Sequence, residues 1–304
     1  MIRKKLYSLI SLLLPLLIFS QKTDKKLQSQ IQEMCKEFHG QVGVYVKNLR
    51  TSKIIAINAD TLFPTASMIK VSLLIGIMDK IEKAELDYHG EQIYKDSLFY
   101  AGVDILGSFK SGEKIELSKL MTLMLSMSDN TASLWLQSLA GGGIRVNQLL
   151  DSLGFSQTRV NSRTSGREKN RDLFGWGQTT PFEMVGLFEK IYKGEVISRK
   201  ASERMLRLLG RNYWDEVGIS QVPPSIFVAC KNGAVDESRS ETMLVMAPHG
   251  PYIFSVITKD QKDTTWNPDN EGWVLSRKIS GLLWHYFEPG SDWQPSLHVD
   301  GKLN

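Results

Sequence analysis

Ser67 and Lys70 stand three residues apart in Phe63-Pro64-Thr65-Ala66-Ser67-Met68-Ile69-Lys70, directly before the apolar run Val71 to Met78. On a helix that spacing places a hydroxyl and an amine on one face, about one turn apart. A serine hydroxyl is a weak nucleophile at neutral pH. A lysine can take its proton only where burial or neighbouring positive charge lowers the amine pKa. The pair therefore reads as a nucleophile with its base, and the helix start adds unpaired N–H groups where negative charge would develop. Ser-x-x-Lys alone says little, because about one match is expected by chance in a chain of this length. Ser111-Gly112-Glu113-Lys114 is a second match. It lies in a Gly- and charge-rich turn with no apolar run behind it and reads as solvated surface.

Two other stretches carry compatible chemistry. Ser128-Asp129-Asn130 interrupts two apolar segments, where side chains can face a cleft. Lys231-Asn232-Gly233 ends a hydrophobic run, setting a cation beside a glycine that lets a ligand backbone approach. Each alone also fits a cap or strand-end turn, and Lys110-Ser111-Gly112 mimics the last of them.

The elements that must position these residues follow from periodicity. Leu27, Ile31, Met34 and Phe38 predict a helix over 24–38, and alternating Val42, Val44 and Val46 with Ile54 to Ile57 predict a hairpin. The Ser67 helix is expected to run to about Glu85. Residues 90–116 look irregular. Helices follow over Leu117 to Met127, over Thr131 to Leu139, and up to Leu153, and 158–178 reads as a long polar loop of the kind that often carries function. Thr180-Pro181-Phe182-Glu183 is a helix start, with Thr180 as cap, Pro181 at the first position and Glu183 as reciprocal cap. A helix near 200–209 precedes strands near 225–231, 240–247 and 252–258, then a helix over Val274 to Phe287 and an unstructured tail beyond Pro289. Strands from both ends of the chain share a core only by joining one mainly antiparallel sheet, which leaves the middle helices as a separate lobe with a cleft between.

Arg3, Lys4 and Lys5 precede the apolar stretch Leu6 to Phe19, the layout of a secretory signal peptide over 1–20. No Cys follows it directly, so a membrane anchor is not expected after cleavage. Removing those three basic residues takes the formal charge from +4 to +1, which argues against a nucleic-acid partner. The 42% hydrophobic content supports a sizeable core. Cys35 and Cys230 fit either a disulfide or two separate buried thiols. His39, His89 and His249 each precede glycine in turns with no metal-ligand spacing, so neither a metal nor another cofactor is expected.

Together and in this order, Ser67-x-x-Lys70, Ser128-x-Asn130 and Lys231-x-Gly233 resemble the penicillin-recognising serine hydrolases, specifically the class A β-lactamase family, over about residues 27–287. The resemblance implies an α/β (α+β) fold: a three-layer α-β-α arrangement with a mainly antiparallel five-stranded sheet, plus an all-helical lobe. It places a catalytic domain at 21–290, with 21–62 and 181–288 as the sheet lobe, 63–180 as the helical lobe, and a tail at 291–304. It implies Ser67 as acylated nucleophile and Lys70 as base. Ser128 would relay a proton to the leaving nitrogen, and Lys231 would support that hydroxyl and attract a substrate carboxylate. The backbone N–H groups of Ser67 and Ala234 would form an oxyanion hole, with Asn130, Asn232 and Gly233 along the substrate, Arg239 at its carboxylate and Tyr100 as a wall. Two positions depart from the pattern: Asn232 stands where a hydroxyl is usual, and Thr164 where the family has its deacylating glutamate. Glu168 is the nearest acid. The implied protein is a secreted or periplasmic monomer that opens β-lactams or a related amide or ester through an acyl-serine. Alternatives are a penicillin-binding-protein-like peptidase or esterase that deacylates slowly, and a binding protein that kept the fold without turnover.

Overall fold

The computed structural model describes residues 22–102 and 105–302; the 1–20 leader lies outside the described residues. In chain order the elements are α1 (Lys25–Lys36), β1 (Gln41–Asn48), β2 (Ile54–Ile57), β3 (Phe63–Pro64), α2 (Lys70–Glu82), β4 (Glu91–Ile93), β5 (Lys114–Glu116), α3 (Leu117–Thr122), α4 (Asn130–Leu139), α5 (Gly142–Ser152), β6 (Arg159–Val160), α6 (Glu168–Phe174), β7 (Gly177–Thr179), α7 (Pro181–Lys193), α8 (Arg199–Leu209), β8 (Val228–Val235), β9 (Ser238–Val245), β10 (Tyr252–Lys259) and α9 (Glu271–Phe287).

The valines of β1 draw the two ends of the chain together. β1 pairs antiparallel with β10 from Gln41↔Lys259 to Asn48↔Tyr252, giving a five-stranded sheet ordered β2-β1-β10-β9-β8. β8 is therefore an edge strand. One sheet face buries Val44, Val46, Phe254 and Val256 against Leu27 and Ile31 of α1 and Ile279 and Leu283 of α9. The other buries Leu244, Ile253 and Ile257 with Met184, Val185 and Phe188 of α7, and this core continues into α2, α4 and α5. These are the three layers that the resemblance implies, with the single sheet and separate helical lobe that the strand arithmetic predicts.

α2 is the hub of the helical lobe, buried along Lys70 to Asp79. Gly76 permits that depth, because a Cβ there would lie 2.7 Å from the Ala140 Cβ. Several segments differ from expectation for local reasons. Leu117–Met127 is not one α-helix: after α3 the chain widens into a π-turn over Leu123–Met127 and stops at Ser128 in a left-handed conformation, φ 61°. Residues 90–116 contain the antiparallel pair β4–β5. The polar stretch 158–178 contains β6, α6 and the start of β7, and it shows no helical period because no residue of α6 is buried. The tail is strapped down, not loose: Gln221 Nε2 donates to Leu297 O at 2.9 Å and Arg277 Nε to Val299 O at 2.7 Å. Cys35, half-buried in α1, and Cys230, buried in β8, are not bonded to each other. No helix among the described residues is long and apolar enough to cross a membrane.

Candidate active site

Ser67 lies in a single 3₁₀ turn, Ala66–Ile69, that runs straight into α2. The turn is entered through Ala66 at φ 43°, a left-handed conformation costly for any residue with a Cβ. This tight entry turns the half-buried Ser67 into a cavity of 580 Å³ between the sheet edge and the helical lobe. β8 presses on the same turn at Gly233, where a Cβ would sit 2.6 Å from Ser67 N and from Thr65 O. Only glycine allows that approach, and it carries Ala234 into the cavity lining beside Ser67.

The Lys70 amine is fully buried one turn along. It contacts Ser128 O at 2.5 Å, Ser128 Oγ at 3.1 Å and Asn130 Oδ1 at 3.0 Å. Burial, and then the Lys231 charge, hold the amine well below the ordinary lysine range against an opposing pull from Asp129. A neutral amine can donate to the two carbonyl-type oxygens and accept from the Ser128 hydroxyl. No hydrogen bond joins Lys70 to Ser67 among the described residues, and Ser67 lines the cavity. Ser128 and Asn130 are delivered by the π-turn and by α4, whose cap Asp129 accepts from Ala132 N at 2.7 Å and, with its other oxygen, from Ile105 N at 2.5 Å.

Lys231 enters from β8 and is also fully buried. Burial pushes its pKa down to about 8, opposed by Cys230 and Glu241. Its Nζ donates to Asn232 O at 2.8 Å and Asn232 Oδ1 at 3.2 Å, so it acts on Lys70 through its charge and makes no bond to Ser128 among the described residues. Asn232 is engaged inside the protein: its Nδ2 donates to Trp214 O at 3.4 Å, while Trp214 Nε1 donates to Met127 O at 3.0 Å. Trp214 thus ties the π-turn to β8, a role that no local pattern around it signals.

Tyr100 and Asn130 line the cavity as expected, together with Leu173, Phe174 and Trp176, which sequence reading missed inside an aperiodic segment. Trp176 meets the Tyr100 ring edge-on at 5.1 Å and lies 6.0 Å from Lys70 Nζ. Arg239 is not in the cavity. Strand alternation turns it to the α9 face of β9, where it is wholly buried, donates to Ser238 O at 3.0 Å and Thr265 O at 2.6 Å, and lies between Trp266 and Trp273 at 4.7 and 4.6 Å. The expected carboxylate contact is corrected accordingly. Thr164 is buried and donates to Ser162 O at 2.8 Å, facing α5 at Gly143. Glu168 is exposed at the start of α6 and accepts from Gly166 N at 3.1 Å, outside the cavity lining. Glu183 does not cap its own helix reciprocally. Its carboxylate accepts from Ser156 N, Gln157 N and Thr158 N at 2.6–3.0 Å and so anchors the loop to α7. Arg167 closes the loop by donating to Asn161 Oδ1 at 3.0 Å and Gln178 Oε1 at 2.7 Å.

The chain is similar along its length to known proteins. β-Lactamase VEB-1 of Pseudomonas aeruginosa is 22% identical over 298 residues, covering 94% of this chain and 98% of the relative. The fold matches a mutant of PBP-A solved as its acyl-enzyme complex with penicillin G, with a TM-score of 0.79, 22% identity and coverage of 88% of this chain and 98% of that one. It also matches a β-lactamase from Sphaerobacter thermophilus DSM 20745, with a TM-score of 0.77, 20% identity and coverage of 88% and 98%. The model of the β-lactamase enzyme family matches residues 26–287, and the chain belongs to that family.

Proposed function

We propose that this β-lactamase-like hydrolase is exported, is acylated on Ser67 by β-lactams or a related amide or ester, and releases the acyl group slowly. The observation that carries the reading is the buried Lys70 amine, held in contact with Ser128 Oγ at 3.1 Å and kept deprotonation-prone by burial and Lys231. Lys70 takes the Ser67 proton as Ser67 Oγ attacks the substrate carbonyl carbon. The carbonyl oxygen becomes negative opposite the N–H groups of Ser67 and Ala234. The C–N bond then breaks, and the proton passes from Lys70 through Ser128 to the leaving nitrogen. Tyr100, Leu173, Phe174 and Trp176 fit an apolar group on the acyl side.

Release needs a water and a base. Among the described residues the cavity has two lining acids, Glu237 and Asp260, both on the sheet side; the loop side presents only Leu173, Phe174, Gly175 and Trp176, none of which can be that base. Slow release is therefore favoured over fast turnover, and with it a penicillin-binding-protein-like peptidase or esterase as the second reading. PBP-A, captured as an acyl-enzyme in mutant form, is consistent with either.

A chromogenic cephalosporin assay paired with intact mass tests this. A persistent adduct on Ser67 with little colour is expected, and fast colour without an adduct would overturn slow release. Ser67→Ala should abolish both signals, a loss on the order of 10⁴-fold or more. Unchanged turnover would remove Ser67 from the chemistry, and no adduct or colour in the native protein would leave a binding protein of this fold.

A further inference from the structure

α8 carries Lys200, Arg204 and Arg207 along one exposed side, flanked by the buried Leu208, and Arg211, two residues past the helix end, continues the row. Steps of four, three and four residues align all four cations on one side. They line a concavity of 390 Å³ closed by Tyr88, separate from the Ser67 cavity. Arg204 is fixed there, its guanidinium 3.9 Å from the Tyr88 ring centroid.

None of the four forms an ion pair among the described residues. The acid in the groove, Glu203, is bound to Arg199 at 3.2 Å. Several other surface cations are matched: Lys83 and Arg145 share Asp79, and Lys47 and Lys193 share Glu189. Like charges at these spacings each cost a helix about 0.2–0.5 kcal/mol, so an unpaired row is an unfavourable arrangement that a bound anion would relieve. The row spans about 16 Å at helical rise, too long for one compact anion to neutralise. Arginine forks donate to phosphate oxygens two at a time.

We propose that this groove binds a short linear polyphosphate. The site is independent of the acyl chemistry above.

The test is titration calorimetry of the full protein with short-chain polyphosphate at two salt concentrations. Inorganic phosphate, polyglutamate and phosphatidylglycerol vesicles serve as separate arms. Polyphosphate should bind with a log–log salt slope of about three to four, one per cation, and inorganic phosphate should bind at least about tenfold more weakly. Arg204→Gln with Arg207→Gln should weaken polyphosphate binding about tenfold or more, while Lys25→Gln with Lys26→Gln, exposed on α1, leaves it unchanged. Acylation by the chromogenic cephalosporin should be the same in both variants, which shows they are folded. No polyphosphate binding, equal weakening by the two variant pairs, equal binding of polyglutamate, or binding to vesicles alone would each overturn the proposal.

Discussion

On one bank of the Ser67 cavity, Lys70 and Lys231 are wholly buried and Lys70 is bonded to Ser128 and Asn130. On the other, the loop between α5 and α7 offers Leu173, Phe174 and Trp176 to the cavity and keeps its acids, Glu168 and Asp172, in solvent. The first bank spends folding energy to keep two amines out of water, which depresses their pKa values. The second is held by Glu183, Arg167 and Gln178 as structure and brings no ionisable side chain to the cavity. The comparison teaches that, in the proposed chemistry, forming and breaking the acyl bond would fall to separate parts of the molecule, so one can be complete while the other is not.

The largest break in that contrast would come from Lys70→Ala. Removing the base should slow acylation on the order of 10³-fold, read as the rate of adduct formation by mass. In the native protein acylation should fall as pH drops and the amine becomes protonated. Lys231 gives a stability signature on the same bank. With its pKa at about 8 when folded and 10.5 ordinarily, it binds fewer protons than the unfolded chain across that window, so stability should rise with pH there. Lys231→Gln should remove about 3 kcal/mol of that rise, measured by urea unfolding at the two ends of the window. Arg239→Ala should cost about 2 kcal/mol by leaving buried carbonyls unpaired, with the apparent affinity for carboxylate-bearing substrates unchanged; a marked loss of affinity would return Arg239 to the site. The smallest effect belongs to the loop: Glu168→Gln should leave the acyl release rate within about twofold, followed by decay of the adduct mass.

Legibility follows the same division. The sheet lobe was readable because strand alternation at Val42, Val44 and Val46 and caps such as Thr180-Pro181 are local signals, and a single shared sheet followed from the two ends needing one core. Ser67, Lys70, Ser128 and Lys231 were readable as motifs, and their gathering around α2 and β8 agrees with the order in which they occur. Trp176 and Trp214 were not, because their places depend on contacts with Tyr100, Met127 and Asn232, which are distant in sequence. Arg239 was misread because a charged side chain next to a catalytic strand fits either face, and only the register Ala234↔Arg239 decides which. The tail was misread because its anchors are backbone carbonyls, which every residue carries.

β8 closes the sheet on the side of the cavity and, among the described residues, pairs with a strand on one flank only. Its outward amides and carbonyls form a half-made ladder. Whatever lies along Gly233 and Ala234 can complete that ladder with its own main chain, as one more strand. Grip of that kind is indifferent to side chains, so discrimination between ligands falls to the aromatic wall opposite.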